Sequence, residues 1–222
     1  MMKETLTSGW GSFKRALDRW EQTAAVVPSS RFLSRALTRH AELRRAAVVV
    51  ELGAGTGNVT RAILREMRAD ARLIAIEIDA SLAEQVRATL VDPRLEVICG
   101  SAADLPQILA AAGVSSPVDV VISGLGMSML APAVREAVVD GVRSVLADAG
   151  IFVLFGYVHA RALVWSRRGG FSRFNVRRFL AERFGSLERE VITRNLPPAA
   201  VYTCRRSLRA SPASAAGSAA AG

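Results

Sequence analysis

The chain has 222 residues, half of them hydrophobic and 6% aromatic, which is enough for one domain to bury its core without a disulfide or metal staple. No apolar run approaches the ~20 residues of a membrane-crossing helix, and MMKETLTSGWGSFKRALDRW at the front lacks the apolar core and small-residue cleavage site of an export signal, so the cytoplasm is the expected location. The +9 net charge is uneven, with nine Lys/Arg against four Asp/Glu in residues 1–46, eight against thirteen in 47–154 and twelve against three in 155–222; an acidic middle between basic ends fits a core whose ends meet nucleic acid or a membrane surface.

In chain order, Trp10, Phe13, Leu17 and Trp20 recur at helical spacing while Lys14, Arg15, Asp18 and Arg19 take other faces. An amphipathic helix within residues 1–25 follows, which either packs on the core or lies in a membrane interface. The β-branched run AVVVEL (47–52) reads as a strand buried on both faces, ending at Gly53. After Gly57, Val59, Ile63 and Met67 alternate with arginines as one face of a helix.

The pattern then repeats. Strands at 73–78, 95–99, 118–123 and 151–157 alternate with helices at 81–90, 104–112 and 132–146. Strands alternating with helices specify right-handed crossovers and a parallel sheet covered on both sides, a doubly wound Rossmann-like α/β fold. Beyond it, residues 171–184 carry a helical stripe of Val176, Phe179 and Leu180, and LEREVITR and AVYTCRR can pair antiparallel at the edge of a seven-stranded sheet. Residues 26–208 form this domain, and the small, polar residues 209–222 read as a disordered tail. Cys99 and Cys204 end strand-like runs with no Cys/His cluster beside them, so they read as buried, reduced thiols and no metal is expected.

The strongest motif is ELGAGTGN (51–58), set where the first strand turns into the first helix. Glycines 53, 55 and 57 permit a tight turn and let a ligand approach the main chain. A dinucleotide fingerprint would need glycine at Asn58, and Glu51 would repel phosphates, so the ligand lacks a pyrophosphate. Glu51 can instead hold the ammonium of an amino-acid-like ligand. Glu77, at the end of the second strand, is placed to accept both ribose hydroxyls of a nucleoside, with Asp79 its competitor.

On these residues the chain resembles the class I S-adenosylmethionine-dependent methyltransferases: ELGAGTG looks like their first motif, IAIEID their second and ICGSAADL (98–105) their third. The resemblance implies S-adenosylmethionine as cofactor, held by Glu51, Gly53, Ala54, Gly55, Gly57, Glu77 and Ile78, with Ser123 nearby. The adenine contact falls to the Ser101 hydroxyl or the Ala102 backbone, because Ser101 stands where many members have Asp.

PSSRFLSRAL (28–37), ELGAGTG, SGLGMSML (123–130), FGY (155–157) and NLPPAAVY (195–202), in this order, resemble the bacterial phospholipid N-methyltransferases that convert phosphatidylethanolamine to phosphatidylcholine. The likeness spans residues 10–206 and departs at Gly126, where that family commonly has proline. It implies a peripheral enzyme on the inner face of the cytoplasmic membrane, with Trp10, Phe13, Lys14, Leu17 and Trp20 on anionic lipid.

In parallel α/β folds the ligand crevice lies beyond the carboxyl ends of the strands, which nominates residues 123–129 and 157–161 for the acceptor. Gly124, Leu125, Tyr157 and Arg161 are the expected substrate contacts, with Leu125, Met127 and Met129 forming an apolar wall suited to a lipid. Tyr157 would orient the amine and stabilise the developing quaternary ammonium through its ring, and His159 would relay the proton. Arg161, Arg167 and Arg168 would meet the lipid phosphate. The rival is an rRNA adenine dimethyltransferase, which needs an Asn-Leu-Pro-aromatic motif after the fourth strand for a flipped base. Ser123-Gly124-Leu125-Gly126 stands there instead, which argues against nucleic acid. An ornithine lipid is an alternative acceptor; oligomeric state is not legible in the sequence.

Overall fold

A computed structural model describes residues 31–115, 117–157, 165–166, 170–171, 174–195 and 198–206. Five parallel strands, β1 (Val48–Leu52), β2 (Arg72–Glu77), β3 (Leu95–Cys99), β4 (Val118–Ser123) and β5 (Leu146–Tyr157), form most of one sheet. A two-stranded hairpin, β6 (Trp165–Ser166) and β7 (Gly170–Phe171), stands apart. β8 (Ser186–Ile192) and β9 (Ala199–Arg205) complete the sheet in the order β3-β2-β1-β4-β5-β9-β8. β9 runs antiparallel to both its neighbours, so the expected antiparallel pair closes this side with β9 inside and β8 outermost.

Helices cover both faces. α1 (Arg31–Thr38), α2 (Ala41–Arg45) and α3 (Asn58–Glu66) pack one layer around Leu33, Leu37, Leu43, Ile63, Ile122 and Val153. α4 (Ala80–Thr89) joins them through Val86, which packs with Ala54 and Ala75. α5 (Leu105–Ala111), α6 (Pro132–Val145) and α7 (Val176–Ala181) build the opposite layer around Val50, Leu105, Val138, Phe152 and Leu180. Alternation along β1 explains the division: Val49 enters one layer, Val50 and Leu52 the other. Burying a side chain as completely as Phe152 is worth roughly 1.5–3 kcal/mol.

Local chemistry sets the ends of these elements. Asp79 accepts from the amides of Ser81 and Leu82 and caps α4. The Asp119 carboxylate accepts from the Ala47 and Val48 amides at 2.7 and 3.0 Å, tying the entry of β1 to β4. Arg87 donates to the Val97 carbonyl and so satisfies part of the open side of edge strand β3.

Three expectations need correction. The helix expected over 171–184 covers only Val176–Ala181, because Gly170–Phe171 pairs in the hairpin and the Asn175 side chain caps the helix at Arg178 N. β5 starts at Leu146 rather than 151, with a register shift against β4 between Val118 and Val120. Cys99 is exposed, since β3 is the outermost strand on its side; Cys204, on inner strand β9, is buried. The expected helix within 1–25 and the tail at 209–222 lie outside the described residues.

Candidate active site

The glycine turn after β1 sits at the carboxyl end of the parallel strands. Gly53, Gly55 and Gly57 have φ of +78°, +54° and +80°, a region that L side chains enter only with strain. Their surroundings differ. A Cβ on Gly53 would come 2.6 Å from Leu125 Cδ2, and one on Gly57 would come 3.2 Å from Leu90 Cδ1, whereas a Cβ on Gly55 would meet nothing within 4 Å. Gly55 thus faces open space, while its neighbours are pressed against protein. Ala54 is buried beneath the turn with Ala75 and Val86.

Glu77 ends β2 next to this turn. One carboxylate oxygen accepts from Gly55 N and the other from Asp79 N, both at 2.9 Å. With Asp79 committed to its helix cap, Glu77 is the acid that reaches the glycine turn. Half-buried Ile78 follows, and its carbonyl faces Cys99 Sγ. Ser101 caps the short 3-10 helix Ala102–Asp104 by accepting from Ala103 N at 3.2 Å, and Ala102 is buried.

Glu51 is fully buried on β1, and neither carboxyl oxygen has a well-formed hydrogen bond among the described residues. Burial pushes its carboxyl from the ordinary 4.5 up to about 8; the Glu77 charge pushes the same way, and the neighbouring Thr60 hydroxyl and amide pull in the other direction. The Thr60 hydroxyl, also buried, is the donor that neighbours this carboxyl. A buried carboxyl this poorly satisfied takes either a proton or a cation.

These features fit a sulfonium nucleoside that carries an amino acid. The poorly satisfied Glu51 carboxyl suits an ammonium, Glu77 suits a ribose diol, and the open face of Gly55 admits a ligand to the main chain.

The acceptor side is built differently from its sequence expectation. Ser123 is buried, and its hydroxyl accepts from Leu125 N at 3.2 Å, turning the chain out of β4. Gly124 donates to the Leu52 carbonyl at 2.8 Å, and a Cβ there would lie 2.7 Å from the Gly53 oxygen. Leu125 and Met127 are buried, so of the three side chains expected to form an apolar wall only Met129 is exposed. Tyr157, half-buried at the end of β5, meets Phe155 edge-on with ring centres 5.4 Å apart, and burial raises its phenol above the usual value. Trp10, Phe13, Lys14, Leu17, Trp20, His159 and Arg161, with Arg167 and Arg168, lie outside the described residues.

One residue near this loop escaped the sequence reading. Arg135, in the first turn of α6, is buried, donates to the Met127 carbonyl at 3.2 Å and lies 3.4 Å from the centre of the Phe174 ring. Burial lowers its guanidinium below the ordinary value. The signal was available: Arg135 adjoins Val134 in the apolar stripe of Val134, Val138, Val139 and Val142.

The comparisons with known proteins agree with this geometry. Residues 49–150 match the family model described as a methyltransferase domain. The chain is 35% identical over 183 residues to an ornithine lipid N-methyltransferase from Singulisphaera acidiphila, a match covering 82% of this chain and 88% of that protein. The chain belongs to the class I S-adenosylmethionine-dependent methyltransferases. This methyltransferase also matches a dimethyladenosine transferase from Chaetomium thermophilum, at 36% identity over 104 residues, 45% of this chain and 24% of that protein. Among solved structures, the O-methyltransferase TomG from Streptomyces achromogenes, in complex with its methyl donor, shares the fold at TM-score 0.59 and 22% identity, covering 78% of this chain and 79% of that one. The cofactor of the methyltransferase is S-adenosylmethionine. Among its described residues, no helix is long and apolar enough to cross a membrane.

Proposed function

We propose that this methyltransferase N-methylates the amino headgroup of a membrane lipid, with phosphatidylethanolamine and its mono- and dimethyl derivatives as acceptors on the way to phosphatidylcholine. The observation that carries the reading is coverage: the likeness to an ornithine lipid N-methyltransferase runs over 88% of that protein, whereas the likeness to a dimethyladenosine transferase runs over 24% of it. The β4 loop supports it, because residues 123–130 hold no aromatic ring and no side-chain amide to stack on or hydrogen-bond a flipped adenine. The same relative favours a second reading, in which the acceptor is an ornithine lipid. In either case the enzyme works at the inner face of the cytoplasmic membrane, with residues 10–20 as its amphipathic anchor.

When bound, S-adenosylmethionine supplies an electrophilic methyl group on a sulfonium. Glu51 holds its ammonium, Glu77 its ribose, and Ser101 or the Ala102 main chain its adenine, while Gly53, Ala54, Gly55, Gly57, Ile78 and Ser123 shape the cradle. The acceptor nitrogen attacks with its lone pair, so it must first lose a proton. Tyr157 keeps its own proton at neutral pH, as an ordinary phenol does, and burial shifts it further in that direction. It therefore serves as a neutral hydrogen-bond partner and as a ring facing the growing positive charge, not as a phenolate base. His159 and Arg161 keep their assigned roles as proton relay and headgroup contact, beside Gly124 and Leu125.

The test is incubation of the full chain with labelled methyl donor and either a total lipid extract or ribosomal RNA, followed by chromatography. Label in methylated phosphatidylethanolamine supports the first reading, and label in ornithine lipid supports the second. Label confined to RNA overturns both.

A further inference from the structure

Most, though not all, of the described arginines where the parallel strands begin are paired with acids; Arg45 and Arg65 are exposed there without an ion pair among the described residues. At the end where the parallel strands begin, Arg44, Arg68, Arg72, Arg94, Arg205 and Arg206 each face a carboxylate: Glu66, Asp70, Glu96, Asp92, Glu42 and Asp148. At the end where they finish, Arg31 and Arg194 are both exposed, and neither pairs with a carboxylate among the described residues.

These two come from opposite ends of the chain yet converge on one side chain. The Arg31 guanidinium lies 5.1 Å from the centre of the half-buried Phe32 ring, and the Arg194 guanidinium 5.8 Å from the same centre. Strand register fixes where this happens. Ile192, the last residue of β8, pairs with Ala199, which pairs with Tyr157; Arg194 therefore stands just past the same sheet end as Tyr157, roughly two strand spacings or 10 Å across. Tyr157, Ile192 and α1 also share one packing layer. Arg31 opens α1, whose first turn has no acidic residue, so its charge sits at the positive end of the helix dipole. Two like charges on one ring, one of them opposed by a helix dipole, are stabilised by an external anion.

We propose that Arg31, Phe32 and Arg194 form a contact for an anionic lipid surface on the rim of the acceptor entrance. The two guanidinium groups meet lipid phosphates, the ring of Phe32 supports them from behind, and the end of β5 that carries Tyr157 is turned toward the bilayer. Arg35, one turn on from Arg31 and also exposed, extends the basic face, whereas Arg39 is already paired with Glu190. The contact deepens the lipid-acceptor reading and rests on it for the identity of the surface.

The test is flotation of the full chain with phosphatidylcholine vesicles, with and without phosphatidylglycerol. Each arginine near an anionic surface contributes enough that Arg31→Gln/Arg194→Gln should bind the anionic vesicles roughly tenfold to thirtyfold more weakly, with cofactor affinity unchanged in calorimetry. Arg45→Gln/Arg65→Gln removes the same charge from exposed arginines at the opposite end of the sheet and should stay within about twofold of the parent. Arg31→Lys/Arg194→Lys should keep most of the binding, since a bilayer responds to charge. Equal flotation of the Gln pair and the control pair overturns the proposal, as does a Lys pair that binds as poorly as the Gln pair. Loss of binding to a ribosomal RNA helix with flotation intact reassigns the arginines to nucleic acid and overturns it too. Flotation does not require turnover. A chain that floats through these arginines but methylates only RNA loses its proposed function and keeps this contact; one that methylates lipid but floats without them does the reverse.

Discussion

Replacing Glu51 by glutamine should stabilise the cofactor-free protein, and by more as the pH rises. The folded chain keeps the Glu51 proton up to about pH 8, whereas the unfolded chain releases it near 4.5. Between those values the folded state binds more protons than the unfolded one. The carboxyl therefore contributes full stability below about 4.5 and loses it progressively as pH climbs through about 8. A rise from 4.5 to about 8 corresponds to a ceiling of about 5 kcal/mol, at about 1.4 kcal/mol per pH unit. Relaxation around the new charge lowers that figure, so a gap of about 2–4 kcal/mol near pH 8.5 is the working expectation. Glutamine has nearly the same shape and does not titrate. Urea unfolding of both proteins, without cofactor, should give similar stabilities near pH 5 and a widening gap above pH 6. Parallel stability curves for the two proteins across this range would refute the reasoning, because they would mean that Glu51 is already ionised and satisfied in the fold.

Glu77→Gln should weaken cofactor binding at least tenfold in calorimetry and lower Tm modestly, because its one amide oxygen can accept from only one of Gly55 N and Asp79 N while its NH2 faces the other; Glu77→Ala leaves both amides without that acceptor and should lower Tm further. Gly55→Ala should cost about 1–2 kcal/mol of stability from its φ of +54° alone, yet reduce cofactor affinity tenfold or more, since the added methyl enters the open space over the turn. Asn175→Ala removes the cap of α7 and should lower unfolding free energy by about 1 kcal/mol, read by denaturant titration. In the folded protein a thiol reagent followed by mass spectrometry should label exposed Cys99 at once and buried Cys204, whose thiol burial pushes far up, only on unfolding.

The sheet was legible because its strands are apolar runs bounded by glycine, aspartate and proline, and its helices repeat at 3.6 residues. What the sequence could not settle was direction within loops. Leu125 and Met127 read as a wall facing the acceptor, but apolar side chains in a loop fit core as well, and both are buried behind a turn in which Gly124 lies tight against the Gly53 carbonyl. The choice between Glu77 and Asp79 depended on a helix cap that forms only where the chain leaves β2. Cys99 read as buried because its strand is apolar, but apolarity does not reveal which strand ends up outermost. The Arg31–Phe32–Arg194 cluster was invisible for a different reason: its members are 163 positions apart and meet only through the register of β8 with β9 and β5.

The interlocked glycines also say where acceptor choice resides. A side chain at Gly124 would strike the Gly53 carbonyl, and one at Gly53 would strike Leu125, so the loop after β4 and the cofactor turn after β1 are held as one unit. Arg135 fastens the same loop from the other side, through the Met127 carbonyl and the Phe174 ring. A loop held this firmly cannot change to suit a different amine without disturbing the cofactor turn. On the lipid-acceptor reading, discrimination between a phosphate-bearing and a carboxylate-bearing headgroup therefore falls to elements that can vary without touching Gly53. The end of β5 at Tyr157 and the turn between β8 and β9 that carries Arg194 are such elements, since they flank the entrance on the side away from β1.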